Sequence, residues 1–453
     1  MNSIRPKFVR ITALAVLTVV ASGFASAQDP APSVLQNGNP APPSSTSVEP
    51  SYPFGETAKP AGRVFLGLGT DRLFSLNAML KSQLLFQMDL TEGYDDGIIL
   101  YPTRTGVYYT LWTPRIAFLG QTEKSVYAIQ YTPTVAYFAN AGPIGVQAFQ
   151  QGSAERHTEV NSYWGWDSAL SVSYGFYPVS LLNGFNFVSI NEIVAANIES
   201  ILLLSTANYF NLNASVGLHW RPTEKDVIQL STSYDYSDFP PNKVPGSVPG
   251  HIQRGILAVN YTHSLSPRLS LLANGDAAHV FGPGACTTYG GQFGASYEIR
   301  QGTTISGTVG PQFGAAPCSN TFLIAYSGYL TSRLSRNWAI YLNAARTNTG
   351  ALYSSLGSGL TETFGAGIQR QLETWGEARV DAGYIRVQSL PTIPTSYNAQ
   401  GKFISGRIGW ALGPTLGLAF QYSRIYQTVS NFTLDRNQAF VTLEWRPNPR
   451  AGF

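Results

Sequence analysis

Apolar and polar residues alternate along most of the chain from about residue 81 to about residue 447. Between residues 164 and 176, Trp164, Trp166, Leu170, Val172, Tyr174 and Phe176 share one parity, while Gly165, Asp167, Ala169, Ser171, Ser173 and Gly175 share the other. An extended strand sends successive side chains to opposite faces, so this segment has one aromatic, apolar face and one small or polar face. The same reading gives strands near 84–90, 107–118, 126–138, 210–220, 228–236, 253–264, 269–281, 288–299, 303–313, 321–333, 338–346, 360–370, 375–387, 402–412, 415–427 and 437–446. Tyr94-Asp95-Asp96-Gly97 carries turn chemistry and is expected to close the first of them.

The connections alternate between short and long. Short ones are expected at Gln121–Lys124, Arg221–Lys225, Ser266–Arg268, Arg300–Gly302, Ser335–Asn337, Leu372–Thr374 and Gly413-Pro414. Long ones are expected near 139–162, 237–252, 282–287, 346–358, 388–401 and 428–436. Short turns on one side and long loops on the other mark an up-and-down barrel of the outer-membrane type, with the short turns periplasmic. Keeping that order requires one further upward strand between Tyr177 and Ser205, for which Phe185–Ala196 is the candidate. The expected fold is therefore all-β: a transmembrane antiparallel up-and-down barrel of about 16–18 strands, since bacterial barrels take even numbers.

A soluble sandwich also alternates, but it does not need so many strands of about ten residues in one continuous series. Nor does it place Trp164, Trp166, Trp220, Tyr234, Tyr236, Trp338, Tyr384, Trp410 and Trp445 near strand ends, where amphipathic rings favour a water–lipid boundary.

The N-terminus is consistent with this compartment. Arg5, Lys7 and Arg10 precede a short apolar run, Ile11–Val20, and Ala25-Ser26-Ala27 forms a small-residue cleavage site, so residues 1–27 read as a signal peptide. The run is shorter than the roughly 20 residues a spanning helix needs. Residues 28–80 are a Pro/Ser-rich periplasmic linker and lead-in, 81–447 the barrel, and 448–453 a C-terminal tail. Charged residues make up 12% of the chain and mean hydropathy is −0.03, as expected of a wall half facing lipid and half facing water. A formal charge of +3 with no basic run gives no sign of a nucleic-acid partner.

Export signal, strand periodicity and the final strand Phe440-Val441-Thr442-Leu443-Glu444-Trp445 together resemble the porin-type outer-membrane barrels. Tyr94-Asp95-Asp96-Gly97 and the hairpin around Arg221-Pro222 are similar, more narrowly, to β-barrel porins associated with exopolysaccharide export. The resemblance covers most of the chain after residue 80. It implies a location in the bacterial outer membrane, contact with its lipid, insertion by barrel assembly machinery, and homo-oligomers or periplasmic export proteins as partners. Such barrels usually finish on an aromatic residue; Trp445 fills that place and the tail Arg446–Phe453 follows.

Two cysteines, Cys286 and Cys318, fall in adjacent long loops of this topology, and an oxidising compartment permits a disulfide between them. Asp167, Asp235, Glu298, Glu377, Arg379, Asp381, Arg407 and Glu444 alternate with apolar neighbours and are the candidates for the lumen wall, where charges set ion preference. Their mixed signs argue against strong selectivity. The loop at 139–162 is a candidate constriction. His157, His219, His251, His263 and His279 are scattered without metal-ligand spacing, so no metal site, cofactor or catalytic residue is assigned. The functional expectation is a passive, non-enzymatic channel for small solutes; the alternatives are an exopolysaccharide-export component and a barrel-embedded hydrolase.

Overall fold

The computed structural model describes residues 82–447, except 100–104, 123, 140–144, 177–207, 240–249, 282–284, 316–321, 336, 350–358, 373–375, 390–397, 414 and 430–431. The expected signal peptide, linker and tail lie outside the described residues. Eighteen strands occur in chain order: β1 (Ser82–Ile99), β2 (Thr105–Gln121), β3 (Ser125–Ala139), β4 (Val146–Glu159), β5 (Trp164–Phe176), β6 (Asn208–Trp220), β7 (Asp226–Phe239), β8 (Gly250–Ser266) and β9 (Leu269–Phe281), followed by β10 (Cys286–Arg300), β11 (Thr303–Ala315), β12 (Phe322–Arg333), β13 (Trp338–Thr349), β14 (Gly359–Leu372), β15 (Gly376–Ser389), β16 (Asn398–Ala411), β17 (Leu416–Val429) and β18 (Phe432–Trp445).

Every strand pairs antiparallel with the next, and β1 pairs with β18 through Met88–Trp445 to Asp95–Gln438. The sheet is thus closed and has no free edge, the one arrangement in which strands satisfy all their backbone groups without water. At about 3.3 Å per residue, strands of 12 to 18 residues are about 40–60 Å long, enough to cross a bilayer while tilted. The eight connections at one end, between β2–β3, β4–β5 and so on to β16–β17, are two to five residues long. The long connections, such as 177–207, lie at the other end, but the one expected near 428–436 is not long: β17 and β18 extend through most of it and are joined by two residues.

Alternation sorts the two faces. Along β16, Ile404 and Ile408 are exposed, while Phe403, Ser405 and Arg407 are buried. Along β18, Val441, Leu443 and Trp445 are exposed, and Phe440, Thr442 and Glu444 are buried. Side chains on the concave face converge and cover one another, so the buried, mostly polar set lines the interior and the exposed apolar set forms the outside. Trp164, Trp220, Trp338, Trp410 and Trp445 all sit at the short-turn end of their strands, and Trp164 stacks on Trp220 with centroids 5.3 Å apart. The outward rings at the opposite end are phenolic or phenyl: Tyr94 lies 4.9 Å from Tyr108, and Tyr289 lies 5.5 Å from Phe313. Two aromatic girdles therefore bracket an apolar band.

Three further expectations need correction. Residues 139–162 are not one long loop. They contain β4, whose sequence Val146–Glu159 (VQAFQQGSAERHTE) is too polar to display an apolar stripe, yet it pairs along its length with β3 and β5. This strand supplies the extra crossing expected near Phe185–Ala196, a segment that lies outside the described residues. Consequently β5 runs away from the short-turn end, not toward it. Finally, Tyr94-Asp95-Asp96-Gly97 does not end the first strand. β1 continues to Ile99 with an irregularity after Asp95, because the two carboxylates are taken up by β18: Arg436 donates to Asp95 and the Asn437 side chain donates to Asp96.

Candidate functional site

The interior wall is the candidate site. Each of the eight charged residues expected there from the sequence falls on the buried parity of its strand: Asp167 on β5, Asp235 on β7, Glu298 on β10, Glu377, Arg379 and Asp381 on β15, Arg407 on β16, and Glu444 on β18. Strand register then gathers five of them. Arg379 is paired with Arg407 between β15 and β16, Arg407 reaches Glu444 at 3.8 Å, and Arg379 donates to Asp381 at 2.7 Å. Glu377 accepts from Gln369 at 3.2 Å. Asp167, Asp235 and Glu298 stand apart from this group on other parts of the wall.

The cluster continues onto strands from which sequence reasoning takes no candidate. Asp89 is directly opposite Glu444 across the closing seam, and Gln87 donates to Asp89 at 2.8 Å. Arg115 on β2 lies opposite Gln87 and is only 3% exposed. Among the described residues, neither its Nε and Nη1 nor Nε and Nη2 of Arg407 have a hydrogen-bond partner. Two adjacent carboxylates would repel; the guanidiniums of Arg115, Arg407 and Arg446 surround them and supply the compensating charge. Asp89 and Arg115 are legible only as polar members of alternating strands, since nothing in the sequence says that β1 and β18 close on each other.

A second group pins the seam nearer the long-loop end. Asp95 is fully buried and accepts from Arg436 Nε at 2.7 Å and Gln438 Nε2 at 2.7 Å. Around it the inner face turns apolar, with Val107, Tyr109 and Phe138 all buried.

Of a third group, sequence reasoning supplies only Asp167 and none of its partners. Strands β4, β5 and β6 present two adjacent inward rows: Glu159–Gly165–His219, and His157–Asp167–Gly217. Both imidazoles lean toward the centre of this grid and stack, 5.3 Å apart and 5° from parallel. Asp167 bridges them, one carboxylate oxygen to each Nδ1, and the His219 contact is 3.5 Å. Glu159 faces both Nε2 atoms at 3.3 Å. The ring of His219 lies across Gly165, where a Cβ would be 2.0 Å from Nε2, so glycine is required for this close approach. His157 and His219 are 62 positions apart and look scattered in sequence; β4 and the hairpin at 160–163 bring them together. Among the described residues, His157, Glu159 and His219 are the one group whose donor atoms could share a metal ion.

Cys286 opens β10 opposite Val280, is buried, and is not a free thiol. Cys318 lies outside the described residues.

The architecture is porin-like: a closed antiparallel 18-stranded barrel with an apolar outside and a polar interior. No protein-family model matches the chain, and no curated protein is similar to it in sequence. Among solved structures it is similar to Pseudomonas aeruginosa OpdQ, with 8% identity over 81% of this chain and 97% of that one and a TM-score of 0.44. Acinetobacter baumannii OccAB4 gives 8% identity over 82% and 99%, TM-score 0.43. The siderophore receptor PirA from Pseudomonas aeruginosa gives 9% identity over 80% of each chain, TM-score 0.43. These values are too low to carry function, and the barrel is established by its own strand pairing.

Proposed function

We propose that this chain is an outer-membrane channel that passes small polar solutes passively along a charged lumen wall. The observation that supports this best is the sorting of the two faces. Among the described residues, isoleucines, valines and tryptophans stand exposed outside, while Asp, Glu, Arg, Thr and Gln line the inside. Hydrocarbon accommodates the first set, and hydrated solutes are matched by the second. The buried ion cluster of Arg115, Asp89, Arg407 and Glu444 places both signs of charge on one side of the wall. On β7–β10, Asp235, Asp276 and Glu298 face the interior with Arg254 as the basic neighbour, which favours cations modestly over anions.

In this reading the short turns face the periplasm, the assembly machinery engages the C-terminal aromatic, Trp445 or Phe453, and the barrel performs no bond chemistry. Cys286 pairs with Cys318, closing the connection between β10 and the segment after β11; mass mapping without reductant is expected to find the linked peptides, and two free thiols would exclude the pairing.

Refolded protein should show heat-modifiable migration and steady conductance steps in planar bilayers. Asp235→Asn with Glu298→Gln should lower the cation/anion permeability ratio without removing the steps. A folded barrel that gives no conductance would refute the channel.

A further inference from the structure

We propose that His157, Glu159 and His219 form a binding site for a divalent transition-metal ion, of which Zn²⁺ is the probe, on the inner wall near the short-turn end. The inference rests on the wall geometry and not on conduction.

Metal-bound imidazole uses one ring nitrogen for the ion and donates the other N–H to a fixed acceptor, commonly a carboxylate. His157 already has that arrangement, and His219 approaches it, with Nδ1 3.5 Å from the other oxygen of Asp167. Asp167 holds His157 through Nδ1 and lies beside Nδ1 of His219, so an ion that displaces any proton from the two Nε2 atoms meets rings already oriented by one carboxylate. Both Nε2 atoms then face the same carboxylate, that of Glu159, at 3.3 Å. Zinc bonds of about 2.0–2.1 Å place neighbouring corners of a tetrahedron roughly 3.3 Å apart; each Nε2–oxygen distance matches that, and the three donors lie within 4.8 Å of one another, so small side-chain shifts would close them on one ion. His219 Nε2 is hydrogen-bonded to Glu159 at this distance, the contact an ion would replace.

The donor set is two imidazoles and one carboxylate, which suits Zn²⁺ and its neighbours over Ca²⁺ or Mg²⁺, both of which prefer all-oxygen shells. Three protein ligands leave at least one position for water or for a passing ligand. Two carboxylates balance the ion's charge. Arg221 lies 3.5 Å from Glu159 and is the competing cation; it is about one-third exposed and free to turn to water when the ion enters. Gly165 makes the site possible, because any side chain there would displace the His219 ring.

Zn²⁺ titration of the full-length protein, refolded in detergent and followed by calorimetry, is expected to give one ion per chain. His157→Ala and His219→Ala should each weaken binding at least tenfold, and Gly165→Ala should weaken it by displacing His219. His263→Ala is the control: His263 pairs with Asp226 at 2.8 Å and is not part of this donor group, so its loss should leave binding unchanged. Co²⁺ substituted for Zn²⁺ should give the intense visible absorption of a low-coordinate nitrogen–oxygen site. Each variant is scored only after heat-modifiable migration shows an intact barrel. Absence of Zn²⁺ binding by the parent protein, or binding that survives in both folded histidine variants, would overturn the site and leave the cluster as a hydrogen-bonded brace.

Discussion

At the residue scale, two kinds of close contact define the wall. The first is a charge held away from water by a single partner set. Arg436 and Asp95 are both nearly inaccessible, and Gln438 completes the Asp95 shell. Arg436→Ala leaves a buried carboxylate without its main counter-ion, which typically costs about 3–5 kcal/mol. The denaturant midpoint of the refolded barrel should fall accordingly; an unchanged midpoint would mean that water reaches Asp95. The second is an aromatic ring laid across a glycine of the adjacent strand. Tyr341 covers Gly367, where a Cβ would be 2.0 Å from the phenol, and the same phenol accepts from Arg379 Nε at 2.9 Å. Gly367→Ala should therefore displace Tyr341 and loosen Arg379, lowering stability and altering conductance together, whereas Tyr341→Phe should affect only the second. A stability of Gly367→Ala equal to that of the parent would contradict the packing. Alternating strands reveal which residues face inward, but not which neighbour fills a glycine's gap. That gap-filling depends on register, which the sequence does not print.

At the scale of the element, β4 teaches most. The parity of strands such as β16 and β18 is plain because Ile404, Ile408, Val441 and Leu443 alternate with polar residues. β4 has no such stripe: Gln150, Gln151, Glu155, Arg156 and His157 crowd it. It is a strand because β3 and β5 flank it and offer their ladders. Local pattern yields to tertiary pairing here, and without β4 as a strand the imidazole pair on β4 and β6 has no reason to meet. The hairpin ends give a further test. Trp164 and Trp220 stack across β5 and β6 at the short-turn end. A double-mutant cycle of the two alanine substitutions should show about 0.5–1.5 kcal/mol of coupling in lipid. Zero coupling would place the rings apart. The β10–β11 region adds another expectation: linking residues 286 and 318 closes a loop of about thirty residues, which corresponds to roughly 3–4 kcal/mol of lost chain freedom in the unfolded state. Reductant should lower the unfolding midpoint, and an unmoved midpoint would argue against the link.

At the scale of the whole molecule, even strand number, alternating connection lengths and aromatic ends are legible in the sequence, because each follows from geometry repeated many times along the chain. Closure is not. The pairing of β1 with β18 joins residues about 350 positions apart and assembles Asp89, Arg115, Arg407 and Glu444 from four strands. The cylinder they help to seal has an apolar exterior that has no place in water. The most direct test is a nitroxide scan of β16 in lipid vesicles, one cysteine at a time from Phe403 to Gly409, in a background with Cys286 and Cys318 replaced. Collision with lipid-dissolved oxygen should rise at positions 404, 406 and 408 and fall at 403, 405, 407 and 409. Uniform accessibility along the strand, or the opposite phase, would contradict the barrel's placement in a membrane.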